Sequence, residues 1–530
     1  MRRWNGWGDD SIDAPLGEDV LNVLAEWIGR STPTQDVSLA DTIASLPASR
    51  LPAEARLSDD AEARVRHARG QSFPDWLAMR FGRMAPYPDV VSFPESHEDV
   101  AELYAVAKRH GAILIPYGGG TSVVGHLNVP QGERPVISVD LGRLNRLQHL
   151  DETTCLATFG AGVAGPDLEA QLRAHGYMLG HFPQSFEYST LGGWIVTRSS
   201  GQQSLRYGRI ENLFAGGRMQ TSEAELNIPS LPASSAGPDL REMVMGSEGR
   251  LGILTEAQVR VRPVPAHEDF HALFFPDWDA AVEATRRIAQ ARLPLSMLRL
   301  SNSKETETNL TLAGHDRAIA WLKRYLGLRG VGEDRVLLLM GVTGTGNETY
   351  YARNEAMTIA RQHGGVHLGR GIGRGWQKNR YRGPYMRNSL WAAGYAADTI
   401  ETAVNWDRVT PLMQAMEAAA EAVFAEQNEK VHAFTHLSHV YPQGSSIYST
   451  FVFRASPDYE ENMQRWRMLK TRVSEQIVAH GGTISHQHGV GADHARWLPA
   501  EKGEFGMRLI RAQGELADPH GIMPPSNLYS

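Results

Sequence analysis

The chain predicts a mixed helix-and-strand fold, α/β or α+β, arranged as two successive units behind a helical N-terminal segment. Three observations carry that prediction. Between about residues 88 and 265, short β-branched runs such as "AILIPYG" and "PVISVDL" alternate with capped helical stretches. A second series opens at "HALFFPDWDAAVEATRRIAQARLPLSMLRL", which reads strand, helix, strand. The composition, 42% hydrophobic and 21% charged over 530 residues, is that of a globular chain long enough for more than one core.

Residues 1–87 read as helical and irregular. "GEDVLNVLAEWIGR" sets Val20, Leu21, Val23, Leu24, Trp27 and Ile28 at helical spacing, and "SDDAEARVRHARG" opens on a Ser-Asp cap and stops at Gly70. In 88–265, "DVVSFP" is a strand, Ser96 caps the helix that follows, and Gly111 ends it. "TCLATFGAGVAGPDLEAQLRAHG" repeats the strand-to-helix grammar, and "GILTEAQVRVRPVP" closes the unit near Pro263 to Pro265. "RMQTSEAELNIPSLPASSAGPD" is polar and Ser/Pro-rich, and is expected to be a loop. In 266–455, "RVLLLMGVTG" is a strand, "DRVTPLMQAMEAAAEAVFAEQ" a long helix, and "SSIYSTFVFRA" alternates like a half-buried strand. In 456–530, "NMQRWRMLKTRVSEQIVAHGG" is a helix that runs into the His-rich loop "TISHQHGVGADHARWL".

Charge and cysteine content exclude several classes. The formal net charge of −7 carries no electrostatic footprint of a nucleic-acid binder. Cys155 is the single cysteine, so a disulfide framework and a Cys-based metal cluster are both excluded. A cytoplasmic, reducing location fits. "MRRWNGWGDD" has no apolar stretch behind its arginines, so no signal peptide is expected. No apolar run reaches the roughly 18 residues of a transmembrane helix, and "NLYS" is not a Ser-Lys-Leu ending. Peripheral contact with a membrane and a homodimer both stay open.

The chemistry-bearing stretch is "PYGGGTSVVG", residues 116–125, at the end of an apolar strand. Consecutive glycines accept positive φ and let another backbone or a ligand come close. Successive N–H groups in such a turn form a concave anion site. A tight hairpin turn or a flexible linker would use the same letters.

This stretch, with "VMGSEGRLGILTEA", resembles the FAD-binding domain of the vanillyl-alcohol oxidase and FAD-linked oxidase flavoproteins. Within that group the chain is similar, nearly end to end, to the alkyldihydroxyacetonephosphate synthase (alkylglycerone-phosphate synthase) family. "RRWNGWG", "GHFPQSFEYSTLGGWIVTRSSG", "YMRNSLWAAGYAADTIETAVNWDRV", "SHVYPQGSSIYSTFVF" and "TISHQHGVGADHARWL" carry the similarity. The resemblance implies an α+β fold: a two-subdomain FAD-binding domain of the vanillyl-alcohol oxidase type, a sheet-and-helix cap, and a C-terminal segment that returns to the flavin site. It implies non-covalent FAD on Pro116, Gly118, Gly119, Gly120, Thr121 and Ser122, with His126 the nearest residue able to form a covalent link. Three further stretches carry over by position. They supply Gln184, Ser185, Ser189 and Thr190; then Thr197, Arg198 and Ser200; then Ser247, Glu248, Gly249, Leu251 and Ile253.

The implied reaction exchanges the acyl chain of an acyl-dihydroxyacetone phosphate for a fatty alcohol, through a covalent adduct at the flavin N5 and without net redox change. It needs a base, an electrophile and cations. By resemblance Tyr448 is the acid/base, with partners expected from His486 and His488; Arg387 and Arg299 bind anions, and His181 stands at the flavin face. A phenol of ordinary pKa near 10 needs help at neutral pH, His relays protons near neutrality, and the Arg fork suits carboxylate or phosphate. Two departures reduce positive charge. Gln487 interrupts a three-histidine run, and Ala492 to Ala495, Ala-Asp-His-Ala, replace a basic cluster.

The alternative is an FAD-dependent 2-hydroxyacid dehydrogenase or oxidase of the D-lactate dehydrogenase type. That branch presents a His-x-Gly-Asp-Gly-Asn-x-His metal motif and a Glu-His-Gly loop. Here His439 could replace the first His, but Tyr448 stands near the second and Gln487 replaces the Glu, so no catalytic metal is expected. A flavin-binding scaffold without turnover has no need for Tyr448, Arg387 and Arg299 together.

Overall fold

A computed structural model describes residues 1–312, 316–525 and 528. Its described strands form sheets of four, five, two and seven strands, and helices and sheets mix throughout, an α+β architecture.

In the four-stranded sheet, Val90–Ser92 and Ile113–Tyr117 both run parallel to Val136–Asp140. Parallel strands need a crossover, and the helix His97–His110 supplies one. Ser96 Oγ accepts the Asp99 N–H at 3.1 Å, and Gly111, at φ +63°, ends the helix in the left-handed region. Val100, Leu103, Leu114, Ile137 and Val139 are buried between helix and sheet.

The five-stranded sheet is antiparallel, in the order Leu147–Asp151, Leu156–Gly160, Ile253–Arg260, Phe214–Gln220, Glu225–Ile228. Its last two strands overturn part of the loop expected over 218–239. Polar letters fill only the turn, where Thr221 Oγ1 accepts the Glu223 and Ala224 N–H groups. On either side Met219 and Ile228 are buried, and Arg218 pairs with Glu225 across the hairpin. From Pro229 to Asp239 the chain is irregular as expected.

The seven-stranded sheet lies between residues 267 and 454. Its order is Val366–His367, His267–Phe275, Val336–Gly344, Leu295–Ser301, Val431–Leu437, Gly444–Arg454, Tyr395–Asn405, antiparallel throughout. One face packs on the helices Trp278–Gln290, Gly346–Gln362 and Trp406–Ala425 through Ile288, Ala356, Met416 and Phe424. Phe73, Trp76 and Leu77 of the helix Phe73–Arg80 join this core, and so do Leu469 and Val473 of the helix Tyr459–Ala479. The helix Tyr459–Ala479 is therefore part of the seven-stranded layer. The chain after it returns toward the first unit, where Ile522 and Met523 pack in the four-stranded core and the Leu114 N–H donates to the Ile522 carbonyl.

Candidate active site

Strand alternation sets the site. Along Gly444–Arg454, Ile447, Phe451 and Phe453 point into the helix-backed core, while Tyr448, Thr450 and Val452 line a cavity of about 540 Å³ on the other face. His432, Phe434 and His436 of Val431–Leu437 line it by the same alternation. The cavity runs from this face to the glycine loop and takes in Arg299, Arg387, Gln487 and His488.

The loop after Ile113–Tyr117 is glycine because another backbone lies against it. A Cβ on Gly119 would stand 1.8 Å from the Tyr188 carbonyl oxygen, one on Gly118 would meet Thr190 Oγ1, and Gly120 has φ +60°. Two of the expected cofactor stretches thus pack directly on each other. Arg2 ties the N-terminus to the loop by donating to the Gly119 carbonyl. The Trp7 N–H donates to Asn388 Oδ1 at 3.1 Å, and Asn388 Nδ2 returns a bond to the Trp7 carbonyl.

Pro116, Gly118 to Ser122, Gln184, Ser185, Ser189, Thr190, Thr197, Ser200, Glu248 and Gly249 all line the cavity. The Ser200 hydroxyl is buried on the cavity wall near Tyr441. Four expected residues stand elsewhere. Arg198 turns outward to Glu242 and donates to the Met245 carbonyl. The Ser247 hydroxyl is buried outside the cavity wall. Leu251 packs in the five-stranded core and Ile253 in the four-stranded core. The cavity takes the alternate positions, Gly252 and Leu254, because neighbouring side chains along an extended chain face opposite ways.

Of the expected catalytic side chains, Tyr448, His488, Arg387 and Arg299 reach the cavity. His181 does not. It is buried against Trp194, with Nε2 3.2 Å from Ser199 Oγ, and burial pushes its pKa down to about 3. His486 faces away too. Its Nε2 shares a 2.6 Å hydrogen bond with the Tyr441 hydroxyl, and burial holds its pKa well below the usual value. Each is neutral at pH 7 and supports a wall segment.

Tyr448 is therefore not partnered by both loop histidines. Its ring stacks on His436 at 4.9 Å and meets His488 edge-on at 5.8 Å, and its hydroxyl donates to Thr399 Oγ1 at 3.2 Å. Burial pushes its pKa up to about 12, against the pull of Arg387. His436 and Thr399 escaped the sequence reading. The signal was cross-strand register, which sets His436 opposite Tyr448.

The two arginines differ. Arg299 Nη2 lies 2.7 Å from Glu305 Oε1 and 3.1 Å from His436 Nδ1. Burial works to raise the Glu305 pKa, but Arg299 and His436 hold it at about 2, so Arg299 meets a full negative charge. Arg387 has no carboxylate within ion-pair distance among the described residues, although Asp398 and Asp75 act on its charge from farther away. Nη1 donates to the Gln71 carbonyl at 2.7 Å, the guanidinium lies 4.1 Å from the Trp76 ring centroid, and Nη2 is buried with no hydrogen bond among the described residues. Burial lowers its pKa to about 10, so it stays cationic at pH 7. The geometry offers an acid/base phenol, one cation with a free donor, and a neutralised ion pair.

The remaining wall is apolar. Leu16, Val20, Val23, Leu24 and Trp27, mostly from the helix Glu18–Ile28, meet Leu390, Phe434 and Val452, and Trp27 stacks on His432 at 4.2 Å. The helical spacing was legible in the sequence; that this face lines a cavity was not.

Comparison with known proteins agrees with this layout. The family model described as "FAD binding domain" matches residues 88–226, and the one described as "FAD linked oxidases, C-terminal domain" matches 264–528. The chain is 32% identical to the alkyldihydroxyacetonephosphate synthase of Dictyostelium discoideum, covering 89% of this chain and 78% of that one. It is 29% identical to that of Trypanosoma brucei brucei, covering 99% and 92%. A solved alkyldihydroxyacetonephosphate synthase structure superposes with a TM-score of 0.84 at 27% identity, over 99% of this chain and 98% of that chain. Substrate-bound p-cresol methylhydroxylase shares the fold, with a TM-score of 0.69 at 14% identity over 89% and 94% of the two chains.

Proposed function

The chain belongs to the FAD-linked oxidases and, among them, to the alkyldihydroxyacetonephosphate synthase family, and from that premise we propose that it exchanges the acyl group of an acyl-dihydroxyacetone phosphate for a fatty alcohol. One observation carries the proposal. A single cavity joins a glycine-loop anion cradle, Tyr448 beside a cation with a free donor, and an apolar branch.

FAD is the cofactor of this enzyme. The residues fit it: the backbone and hydroxyl donors of Gly118 to Ser122 line the same cavity as Ser185, Thr190, Thr197 and Ser200. When bound, FAD supplies an electrophilic isoalloxazine ring. Backbone N–H groups of 118–122 with the Thr121 and Ser122 hydroxyls would hold its pyrophosphate. Binding is non-covalent; acid precipitation should leave the yellow colour in solution.

Arg387 Nη2 binds the substrate phosphate, since Arg299 is already matched by Glu305. The Tyr448 oxygen, in its phenolate form, takes the proton from the substrate carbon, with His488 and His436 flanking the ring. The apolar branch takes the alkyl chain and keeps water from the reacting carbon. The acyl group leaves as a carboxylate with its C–O bond pair, the alcohol oxygen forms the new C–O bond as the alcohol loses its proton, and the Tyr448 hydroxyl returns a proton to the substrate carbon, so no net oxidation occurs. Residues 88–265 form the flavin domain, 266–455 the cap over it, and the loop after the 459–479 helix closes the site.

The chain works as a peripheral protein on the cytoplasmic surface of a lipid membrane. No helix among the described residues is long and apolar enough to cross one. The helix Asp316–Leu328 supports surface contact, because Trp321, Tyr325 and Leu328 are exposed at 72%, 43% and 81% on one stripe, with Arg324 over Trp321 and Arg329 over Tyr325.

The test is incubation of purified holoprotein with acyl-dihydroxyacetone phosphate and a labelled long-chain alcohol. Appearance of labelled ether with free fatty acid is expected. Bleaching of the flavin by a 2-hydroxyacid without exchange would replace this reading with the dehydrogenase one.

A further inference from the structure

The His-rich loop has neither helical nor ladder hydrogen bonds between Ser485 and Val490, yet each backbone N–H from His486 to Gly491 is satisfied. Glu401 Oε1 accepts the N–H groups of His486, Gln487 and His488 at 3.0, 3.1 and 3.2 Å, and the Ser485 hydroxyl at 2.7 Å. Ser485 Oγ in turn accepts the His488 and Gly489 N–H groups at 3.1 Å each. Glu248 then accepts the last two, Val490 at 2.5 Å and Gly491 at 3.0 Å, and its Oε2 lies 3.0 Å from His126 Nε2. Two carboxylates and one hydroxyl account for six consecutive amides.

The two acids come from different layers. Glu401, 1% exposed, sits on Tyr395–Asn405 of the seven-stranded sheet; Glu248 precedes Ile253–Arg260 of the five-stranded sheet. Glu401 also stands opposite Tyr448 in register, and Tyr448 opposite His436. Glu401, Tyr448 and His436 therefore form one row across three strands, on one face. The residue that shapes the loop is the cross-strand neighbour of the proposed acid/base. A buried carboxylate that accepts several N–H bonds is held firmly, because losing those bonds would leave a charge without solvation.

We propose that Glu401 is a positioning residue for the transfer reaction: it shapes residues 485–488 so that His488 stands edge-on to Tyr448, while Glu248 anchors the far end of the same loop to the flavin side. The claim rests on the function proposed above, and it concerns geometry that exists without substrate. Titratable groups from every packed element act on His488. They are Glu401 and Asp398 from the 395–405 strand, Lys470 from the 459–479 helix, and His126 beyond the glycine loop, with Tyr448 adjoining. Burial lowers the His488 pKa, and the Glu401 carboxylate opposes that shift.

The experiment compares Glu401→Gln, Glu401→Ala and Ser485→Ala in the full-length holoprotein. Glu401→Ala should lower kcat roughly 100-fold, the scale of a misplaced catalytic group, with KM for the alcohol within about threefold of wild type and FAD content retained. Glu401→Gln keeps one acceptor oxygen and should recover to within about tenfold of wild type. Because its amide is uncharged, His488 should titrate at lower pH, read from the imidazole signals of ¹³C-histidine-labelled protein assigned with His488→Asn. If Glu401→Ala does not fold, Ser485→Ala removes the acceptor of the His488 and Gly489 amides and should give the same kcat-selective loss. Unchanged kcat in Ser485→Ala or in a folded Glu401→Ala, or losses that follow FAD content alone, would overturn the proposal. So would an unmoved His488 titration in Glu401→Gln. Should the wild type exchange nothing, the function proposed above fails, while the His488 titration still decides the role of Glu401.

Discussion

Replacing Tyr448 by Phe removes one oxygen and almost no packing, since the ring keeps its stack on His436 and its edge contact with His488. The structural loss is the 3.2 Å hydrogen bond to Thr399, worth about 1 kcal/mol. The chemical loss is larger. With its pKa pushed to about 12 by burial, Tyr448 is a neutral phenol at pH 7. About one molecule in 10⁵ is ionised there, and removing the proton costs about 7 kcal/mol. A base with so small an active fraction gives turnover that rises with pH through the neutral range. Tyr448→Phe should therefore lose about 10²- to 10⁴-fold in exchange rate and lose the pH-dependent rise, with FAD content unchanged and the melting temperature lowered by only a few degrees. The assay is labelled-alcohol incorporation from pH 6 to 9, with flavin absorbance and thermal denaturation in parallel. A Tyr448→Phe enzyme with the wild-type rate would refute the assignment, and a lost rate with an intact pH rise would move the base elsewhere.

Arg387→Leu should raise KM for the phosphate substrate with partial rescue at high concentration, because it removes the free Nη2 donor. Arg387→Lys should not restore wild-type behaviour, since one ammonium cannot both hold the Gln71 carbonyl and present a planar fork. Arg299→Leu should instead act on stability, by about 3–5 kcal/mol, because it strands the buried Glu305; Arg299→Leu with Glu305→Gln should recover part of that loss in denaturant titrations. In the wild type the Glu305 pKa is depressed to about 2, so its contribution is present above the ordinary carboxylate pKa near 4.5 and is lost as pH falls toward 2. Gly119→Ala should purify with little flavin, because its Cβ would collide with the Tyr188 carbonyl 1.8 Å away; full flavin occupancy would show that the loop tolerates displacement.

The order and kind of elements were legible in the sequence wherever a local rule dominates. Ser96 and Gly111 bound a helix through cap chemistry, and Ile113–Tyr117 and Val336–Gly344 are apolar runs of strand length. The glycine loop was legible for the same reason, since few backbones other than glycine can take that path. The hairpin of 214–228 was misread because a polar turn between two short half-buried strands resembles a loop until pairing partners are known.

The site divides in the same way. Sequence alone identified Tyr448, Arg387, Arg299 and His488 as chemical groups, because those types at those positions resemble a family's motif. Tertiary structure decided what each group meets. Strand register set His436 beside Tyr448, and packing matched Arg299 with Glu305 while leaving Arg387 a free donor. It turned His181 and His486 into wall supports, and the extended run after Gly249 put Gly252 and Leu254, not Leu251 and Ile253, on the cavity. Register, burial and charge pairing join residues far apart in the chain, Glu401 with 485–488 and Arg2 with Gly119 among them. A single sequence carries local propensity at each position and no term for those distances, so the chemistry could be read from it and the partnerships could not.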